Sequence, residues 1–279
     1  MKNLLTRQSA SRVTPHRGLP KCQDGLTLVE IMISLTLGLV ILLAVGSVYI
    51  GSRQTYRVQE DNARLQEAGK YALEVLGRAV RQAGADQEFN FTTLPSHLEC
   101  GAAAPCNAIA GTNGATDTLT VQSYAGRDEL DDDAAPGGWV ARDCTGGQAA
   151  AGTVITSTFD VTATNLRCTG SVGGTQALIA DVEDFQVIYG IDTTGDRSAD
   201  QYVVTPGDWS QVVTARVCVL IQSANNGLAT TPQTYLNCEG ALGSPTAGAP
   251  TTTAGAGDLR LHRSFVATYN LRNRVNGAP

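Results

Sequence analysis

The chain of 279 residues is 42% hydrophobic and 16% charged, which gives enough apolar content for a folded core and excludes an intrinsically disordered chain. Its formal net charge of −6, with no basic stripe to neutralise phosphates, argues against a nucleic-acid-binding body. This length accommodates one membrane helix and one globular domain of ordinary size.

In chain order, residues 1–25 come first and are basic. Lys2, Arg7, Arg12, Arg17 and Lys21 stand against Asp24, a net of +4 that leaves −10 for the remainder. From Ile31 to Ser52 the only ionisable side chain is the phenol of Tyr49. At about 1.5 Å of rise per residue such a run matches the thickness of a bilayer core. By the positive-inside rule the basic segment stays in the cytoplasm and the acidic body is exported. Glu30 sits at the entrance to the apolar run, and a carboxylate costs about 2.5 to 3.5 kcal/mol at the centre of a membrane helix. One reading is an end-of-helix acid near the headgroups. The other is an assembly residue that meets a cation on a neighbouring helix, since a charge pair in hydrocarbon is far better than either charge alone. A secretory peptide removed after its apolar region does not fit, because the run is too long.

The segment Gly25-Leu26-Thr27-Leu28-Val29-Glu30, with a basic leader before it and an apolar helix after it, resembles the class III signal of type IV prepilins. The resemblance implies that prepilin peptidase cuts between Gly25 and Leu26 on the cytoplasmic face. Leu26, where the family more often has Phe, would become the N-methylated terminus, and Glu30 would be the retained assembly acid.

Beyond the membrane run the helix is expected to continue as an amphipathic segment from about Arg53 to Ala83. Leu65, Ala68, Ala72, Leu76, Ala79 and Ala83 recur at steps of three and four and form one apolar stripe. Glu60 with Arg64 and Glu74 with Arg78 stand at the favourable i,i+4 spacing on the polar side. Gly84 is a natural stop. The stretches Arg53-Gln54-Thr55-Tyr56-Arg57 and Arg64 to Leu73 resemble the PilW-type minor pilins, as do Tyr189-Gly190-Ile191-Asp192 and the terminal Leu271-Arg272-Asn273-Arg274. This resemblance implies an α+β, pilin-like fold. A long N-terminal helix would span the membrane over residues 26–52, continue amphipathically over 53–84, and pack on an antiparallel β-sheet in a globular domain at 85–279.

From Asp86 onward short alternating runs separated by Gly, Pro, Asn and Asp predict an antiparallel sheet. Strands are expected at Thr118 to Tyr124, Thr153 to Val161, Phe185 to Ile191, Gln201 to Thr205, Val212 to Gln222 and Arg260 to Leu271. Val213, Ala215, Val217, Val219 and Ile221 share one face, as do Phe265, Ala267, Tyr269 and Leu271, and both faces should meet the helix stripe. Ser223 to Gly257 is poor in large apolar residues and reads as a segment that builds no core.

Of seven cysteines, Cys22 falls in the leader. The remaining even set in an exported domain suggests disulfides. Sequence-local pairing is expected: Cys100 with Cys106, Cys144 with Cys168, Cys218 with Cys238. No CxxC pair favours zinc among them. Asp192, Asp196 and Asp200 are spaced around Gly195 as in a calcium loop, yet lack the Asp-x-Asp spacing and terminal Glu of an EF-hand, so a plain turn is the leading reading. Arg127 to Asp133 reads as a solvated acidic loop or a partner-binding surface. His16, His97 and His262 are flanked by no nucleophile, Walker or Rossmann motif. No active site, cofactor or enzyme activity is expected.

The family resemblance implies a minor pilin that takes part in initiating type IV pilus assembly, at the filament tip, and supports twitching motility and adhesion. Its partners would be other minor pilins, the major pilin, prepilin peptidase, the inner-membrane assembly platform and a tip adhesin. It would lie in the inner membrane with its body in the periplasm, and in the assembled pilus. Two other readings stay open: the large minor pseudopilin of a type II secretion system, and a membrane-anchored periplasmic enzyme or binding protein.

Overall fold

The structure, a computed structural model, describes residues 25–85, 107–124, 141–149, 153–243 and 250–273. Its contacts divide the chain into two compact units, Met1–Ser52 and Arg53–Pro279. One helix, α1 (Leu28–Gln82), contributes to both. Its part in the first unit is apolar, and every large apolar side chain from Leu26 to Ile50 is exposed.

In the second unit α1 buries Asp61, Leu65, Gly69, Ala72, Leu76, Gly77 and Val80. Leu65, Ala72 and Leu76 belong to the stripe read from sequence, but its centre lies elsewhere. Ala68 and Ala79 are only half-buried, whereas Gly69, Gly77 and Val80 are covered. The cause is the shape of what packs there. A Cβ at Gly69 would overlap the Phe265 ring, and one at Gly77 the Tyr269 ring. The glycines on this face therefore admit aromatic rings to the helix backbone. The Tyr269 ring is fixed further, because its hydroxyl donates to the Leu73 carbonyl at 2.6 Å and the Arg81 guanidinium stands 5.4 Å from its centroid. Just past the end of α1, Gly84 takes φ = 70°, a backbone conformation that suits glycine and stops the helix. Asn273 donates to the orphan carbonyls of Arg81 and Ala83 at 3.3 and 3.0 Å.

The strands are β1 (Ile109–Thr112), β2 (Thr118–Tyr124), β3 (Ala141–Arg142), β4 (Gln148–Ala149), β5 (Val154–Thr162), β6 (Asn165–Gly170), β7 (Gly174–Ile179), β8 (Val182–Ile191), β9 (Gln201–Val203), β10 (Val212–Gln222), β11 (Thr234–Leu236), β12 (Thr251–Thr253) and β13 (His262–Asn270). They form two principal sheets rather than one. A five-stranded sheet has the order β1-β2-β5-β6-β7 and a four-stranded sheet the order β13-β10-β8-β9, all pairs antiparallel; β3-β4 and β11-β12 are separate pairs. Residues from α1 and from both principal sheets share one core that includes Leu76, Phe159, Phe185, Val217 and Leu271.

β1, β3, β4, β6, β7, β11 and β12 lie outside the strands expected from the sequence. β7 is an exposed edge and β12 is three exposed threonines, so neither carries the apolar alternation from which a strand is read. In β10 the expected face holds from Ala215 to Ile221, but a bulge between Val212 and Thr214 puts Val212, and not Val213, in the main core. The expectation that Ser223 to Gly257 builds no core is corrected. β11 and a short helix, α2 (Cys238–Leu242), place Tyr235, Cys238 and Leu242 with Ile188, Cys218, Leu220 and Ala254 in a second cluster. The segment supplies few apolar side chains because the sheet supplies the rest: β8 and β10 are buried on both faces.

Replacing Gly77 by Ala removes a helix-interior glycine, a gain of about 1 kcal/mol, but drives a Cβ into an anchored ring, at about 1 to 3 kcal/mol. We expect Gly69→Ala and Gly77→Ala each to lower the denaturant midpoint, and Phe265→Ala to lose much of its own cost in the Gly69→Ala background. A stabilised Gly77→Ala protein would contradict this packing.

Candidate functional site

The segment that carries the chemistry of interest is the head of α1. Thr27 caps it: its Oγ1 accepts from the Glu30 N–H at 3.3 Å and its carbonyl from the Ile31 N–H at 3.2 Å. Thr27 and Glu30 have the Thr-x-x-Glu spacing of a capping box, and an acid in the first turn also complements the helix dipole. Gly25 and Leu26 precede the helix in extended or irregular backbone, and nothing lies within 4 Å of where a Gly25 Cβ would stand. Glu30 is exposed on a helix whose neighbouring side chains are exposed Leu26, Leu28, Val29, Ile31 and Met32. The hydroxyls of this region turn inward. Ser34, Thr36 and Ser47 donate to the carbonyls of Glu30, Ile33 and Ala44 at 2.7, 2.9 and 2.8 Å. Apart from Glu30, a helix that bonds its own hydroxyls and displays apolar surface in this way is suited to lipid or to other such helices. By length and composition α1 can cross a membrane.

In the globular unit Cys144 bonds Cys168, with 6.2 Å between Cα atoms, and Cys218 bonds Cys238, with 5.5 Å. The first bridge ties the turn between β3 and β4 to β6. The second ties β10 to α2, across the second cluster. Cys100 and Cys106 lie outside the described residues, as does the acidic stretch Arg127 to Asp133.

Asp192, Asp196 and Asp200 fall in the loop between β8 and β9, where their oxygens face backbone donors. Asp192 accepts from the N–H groups of Thr194, Gly195 and Arg197 at 3.1, 2.6 and 2.7 Å. Asp200 accepts from both the N–H and the hydroxyl of Thr193 at 2.7 Å, and Asp196 from the Ser198 N–H at 2.8 Å. Desolvation pushes the Asp192 carboxyl upward, but the N–H donors of Arg197, Gly195 and Thr194 together hold it below the ordinary range. The Thr193 hydroxyl and N–H hold Asp200 down likewise. These carboxylates build the turn from within, and no three His, Cys, Asp or Glu side chains among the described residues converge as a metal site.

Two buried acids that sequence reasoning passed over fix the architecture. Asp143 accepts five hydrogen bonds, from the N–H and hydroxyl of Thr145 and the N–H groups of Gly147, Val172 and Gly173, at 2.7 to 3.0 Å. It stitches the β3–β4 turn to the β6–β7 turn beside the Cys144 bridge. Glycines at 147, 170 and 173 give its carboxylate room. Asp117 accepts from Gly114 and Val187 N–H groups at 3.0 and 2.8 Å, while its own N–H donates to the Phe185 carbonyl at 2.8 Å. This bonds the β1–β2 turn to β8 and so joins the two principal sheets. Burial pushes the Asp117 carboxyl upward against those donors. The only sequence signal for either residue is an Asp near turn glycines, which many solvated loops share.

Residues 148–273 match the family model described as type IV pilus-assembly protein W, and residues 20–46 match the prokaryotic N-terminal methylation motif. Among solved structures, a type IV-like pilin from Thermus thermophilus aligns with a TM-score of 0.42 and 17% identity, covering 75% of this chain and 98% of that one. No curated protein matches the chain.

Desolvation works to raise the Asp143 carboxyl, but its donors, led by Gly173 and Thr145, hold it down to about 2 from an ordinary 3.8. A carboxyl depressed in the folded state stabilises the fold above its unfolded value, and that contribution is lost as pH falls through the folded one. We expect Asp143→Asn to cost about 1 to 3 kcal/mol at neutral pH, because an amide NH2 opposes donors that the carboxylate accepted. The variant should also lose stability less steeply than wild type between about pH 4 and pH 2. Thermal melts over that window measure both effects.

Proposed function

We propose that this chain, type IV pilin-like by its prepilin motif and its PilW-type carboxy-terminal region, is a minor pilin that helps to initiate pilus assembly near the filament tip. In this role it supports twitching motility and adhesion. The observation that carries the reading is the head of α1. There, Gly25, Leu26 and the exposed acid Glu30 share one short segment in front of an exposed apolar helix.

The sequence of events follows from charge and solvation. The basic leader holds the precursor with residues 1–25 in the cytoplasm and the acidic body in the periplasm. Peptidase cleavage after Gly25 frees a cationic amine at Leu26. In a bundle of pilin helices the Glu30 carboxylate of one chain meets the amine of its neighbour, and each cancels the other's cost in hydrocarbon. The apolar helix surface meets the same surface on other minor pilins and on the major pilin, and the globular unit is carried outward. The inner-membrane platform supplies assembly, and a tip adhesin is a further partner in this scheme. The described residues are used here for packing and docking rather than for bond-making chemistry.

Two experiments test the reading. Amino-terminal sequencing of the exported protein should begin at Leu26, and a bulky replacement such as Gly25→Leu should leave full-length precursor; any other terminus in the wild type would sink the processing scheme. Glu30→Leu separates assembly from anchoring. A mere anchor should insert as well or better without the acid, whereas an assembly subunit should be cleaved and anchored yet fail to recover its partners. In a deletion strain complemented at matched levels, pilus counts and pull-down of neighbouring minor pilins should both fall. Normal piliation and pull-down would leave α1 as an anchor only.

A further inference from the structure

A cluster unconnected with the helix head lies where the turn after β12 leads into β13. The His262 side chain is 1% exposed. It stacks on Tyr235 with centroids 4.4 Å apart and planes 7° from parallel. Its backbone N–H donates to Gln233 Oε1 at 2.8 Å, and its carbonyl accepts from Gln233 Nε2 at 3.2 Å. Nδ1 lies 2.8 Å from Glu183 Oε2 on β8. The other oxygen of Glu183 accepts from the Tyr235 hydroxyl at 3.1 Å. An ionised carboxylate only accepts, so the phenol O–H is the donor in that contact. Glu183 therefore accepts on both sides, and the ring proton belongs on Nδ1.

This assignment leaves Nε2 with a lone pair. Nε2 is buried and has no hydrogen-bond partner, and it faces Asp258 Oδ2 at 3.5 Å. Asp258 Oδ1 is turned away, accepting from the Arg260 N–H at 3.1 Å with the Arg260 guanidinium at 4.0 Å. Two lone pairs facing each other repel unless a proton or a metal cation lies between them. A proton shared by nitrogen and oxygen brings them to about 2.7 to 3.2 Å. Two ligands at about 2.0 to 2.1 Å from a tetrahedral zinc ion stand about 3.4 Å apart. The Tyr235–Glu183–His262 chain also has the form of the outer shell that orients a metal-binding imidazole: the non-ligating N–H donates to a carboxylate that is itself hydrogen-bonded.

We propose that His262 Nε2 and Asp258 Oδ2 are the two protein ligands of a divalent ion of the zinc class, with Glu183 and Tyr235 as positioning residues and water completing the shell. Imidazole selects zinc, copper or nickel over calcium and magnesium. With two protein ligands the ion is exchangeable. Its ligands are four residues apart, so it braces the turn that delivers the chain into edge strand β13 and steadies the cover formed by β11, α2 and β12.

The test uses the full mature chain in detergent, without a histidine tag, stripped by chelator. Cobalt titration should give saturable tetrahedral ligand-field absorption that zinc abolishes and calcium does not, at one ion per chain. Asp258→Asn, on a residue only partly buried, should keep the wild-type circular dichroism and lose the cobalt spectrum. Glu183→Gln should weaken zinc binding about tenfold or more. Absence of saturable cobalt binding, or unchanged binding in Asp258→Asn, overturns the proposal. So does a nitrogen NMR spectrum of the zinc-treated protein in which both His262 ring nitrogens carry protons, since a proton then fills the gap.

Discussion

The fold depends on how closely an α-helix can approach β13. In the second half of α1, Gly69 and Gly77 leave the helix backbone bare at two places on one face, and the Phe265 and Tyr269 rings fill them. Larger side chains at these positions would hold the helix away from the sheet and open the space that Leu65, Ala72, Leu76 and Val80 now fill. The close contact is also directional. Tyr269 bonds the Leu73 carbonyl, Asn273 bonds the carbonyls of Arg81 and Ala83, and the Gly84 N–H bonds the Gln122 carbonyl at 2.8 Å. Two of these ties come from the last described segment of the chain and the third from the other sheet, so the helix end is fixed by residues distant in sequence.

Once the helix is seated, the two sheets need connections that apolar packing does not specify, because packing is indifferent to small sliding. Polar groups supply them. Asp117 fastens the β1–β2 turn to β8, Asp143 fastens the separate β3–β4 turn to the β6–β7 turn of the five-stranded sheet, and the Cys144–Cys168 bridge stands beside it. On the outer face of the four-stranded sheet the Cys218–Cys238 bridge performs the same service for a lobe whose own apolar content is small. Exposed pairs such as Glu60 with Arg64 and Glu74 with Arg78 are present at the expected spacing. They contribute little beyond helix solubility, since surface ion pairs are screened and cost side-chain entropy.

The two parts of α1 obey opposite rules. In the second unit its small and apolar residues are covered by the chain's own sheets. In the first unit every large apolar side chain of α1 is exposed, and hydroxyls bond back to the helix. That surface is stable only against lipid or other helices, which fits the prepilin motif found in residues 20–46.

The sequence by itself determined the features whose causes are local. The helix head with Gly25 and Glu30, the apolar run, the i,i+4 pairs, the stop at Gly84 and strands β2 and β10 depend on neighbours within a few residues, so composition and period reveal them. The cysteine pairs at 144–168 and 218–238 were legible too, because few alternatives are nearer in sequence. What only the tertiary structure decided is whatever depends on partners from afar. Ala68 and Ala79 look as apolar as Ala72, yet the burial face turns toward Gly69 and Gly77 because rings from β13 arrive there. β7 and β12 become strands because a neighbour offers hydrogen bonds, not because their side chains alternate. The Ser223 to Gly257 segment gains a core because β8 and β10 present a second apolar face to it. Asp117, Asp143 and His262 read as ordinary turn or strand-end residues until distant donors, carboxylates and a stacked tyrosine surround them, since burial and hydrogen-bond geometry are properties of the assembled chain and leave no periodic trace in its sequence.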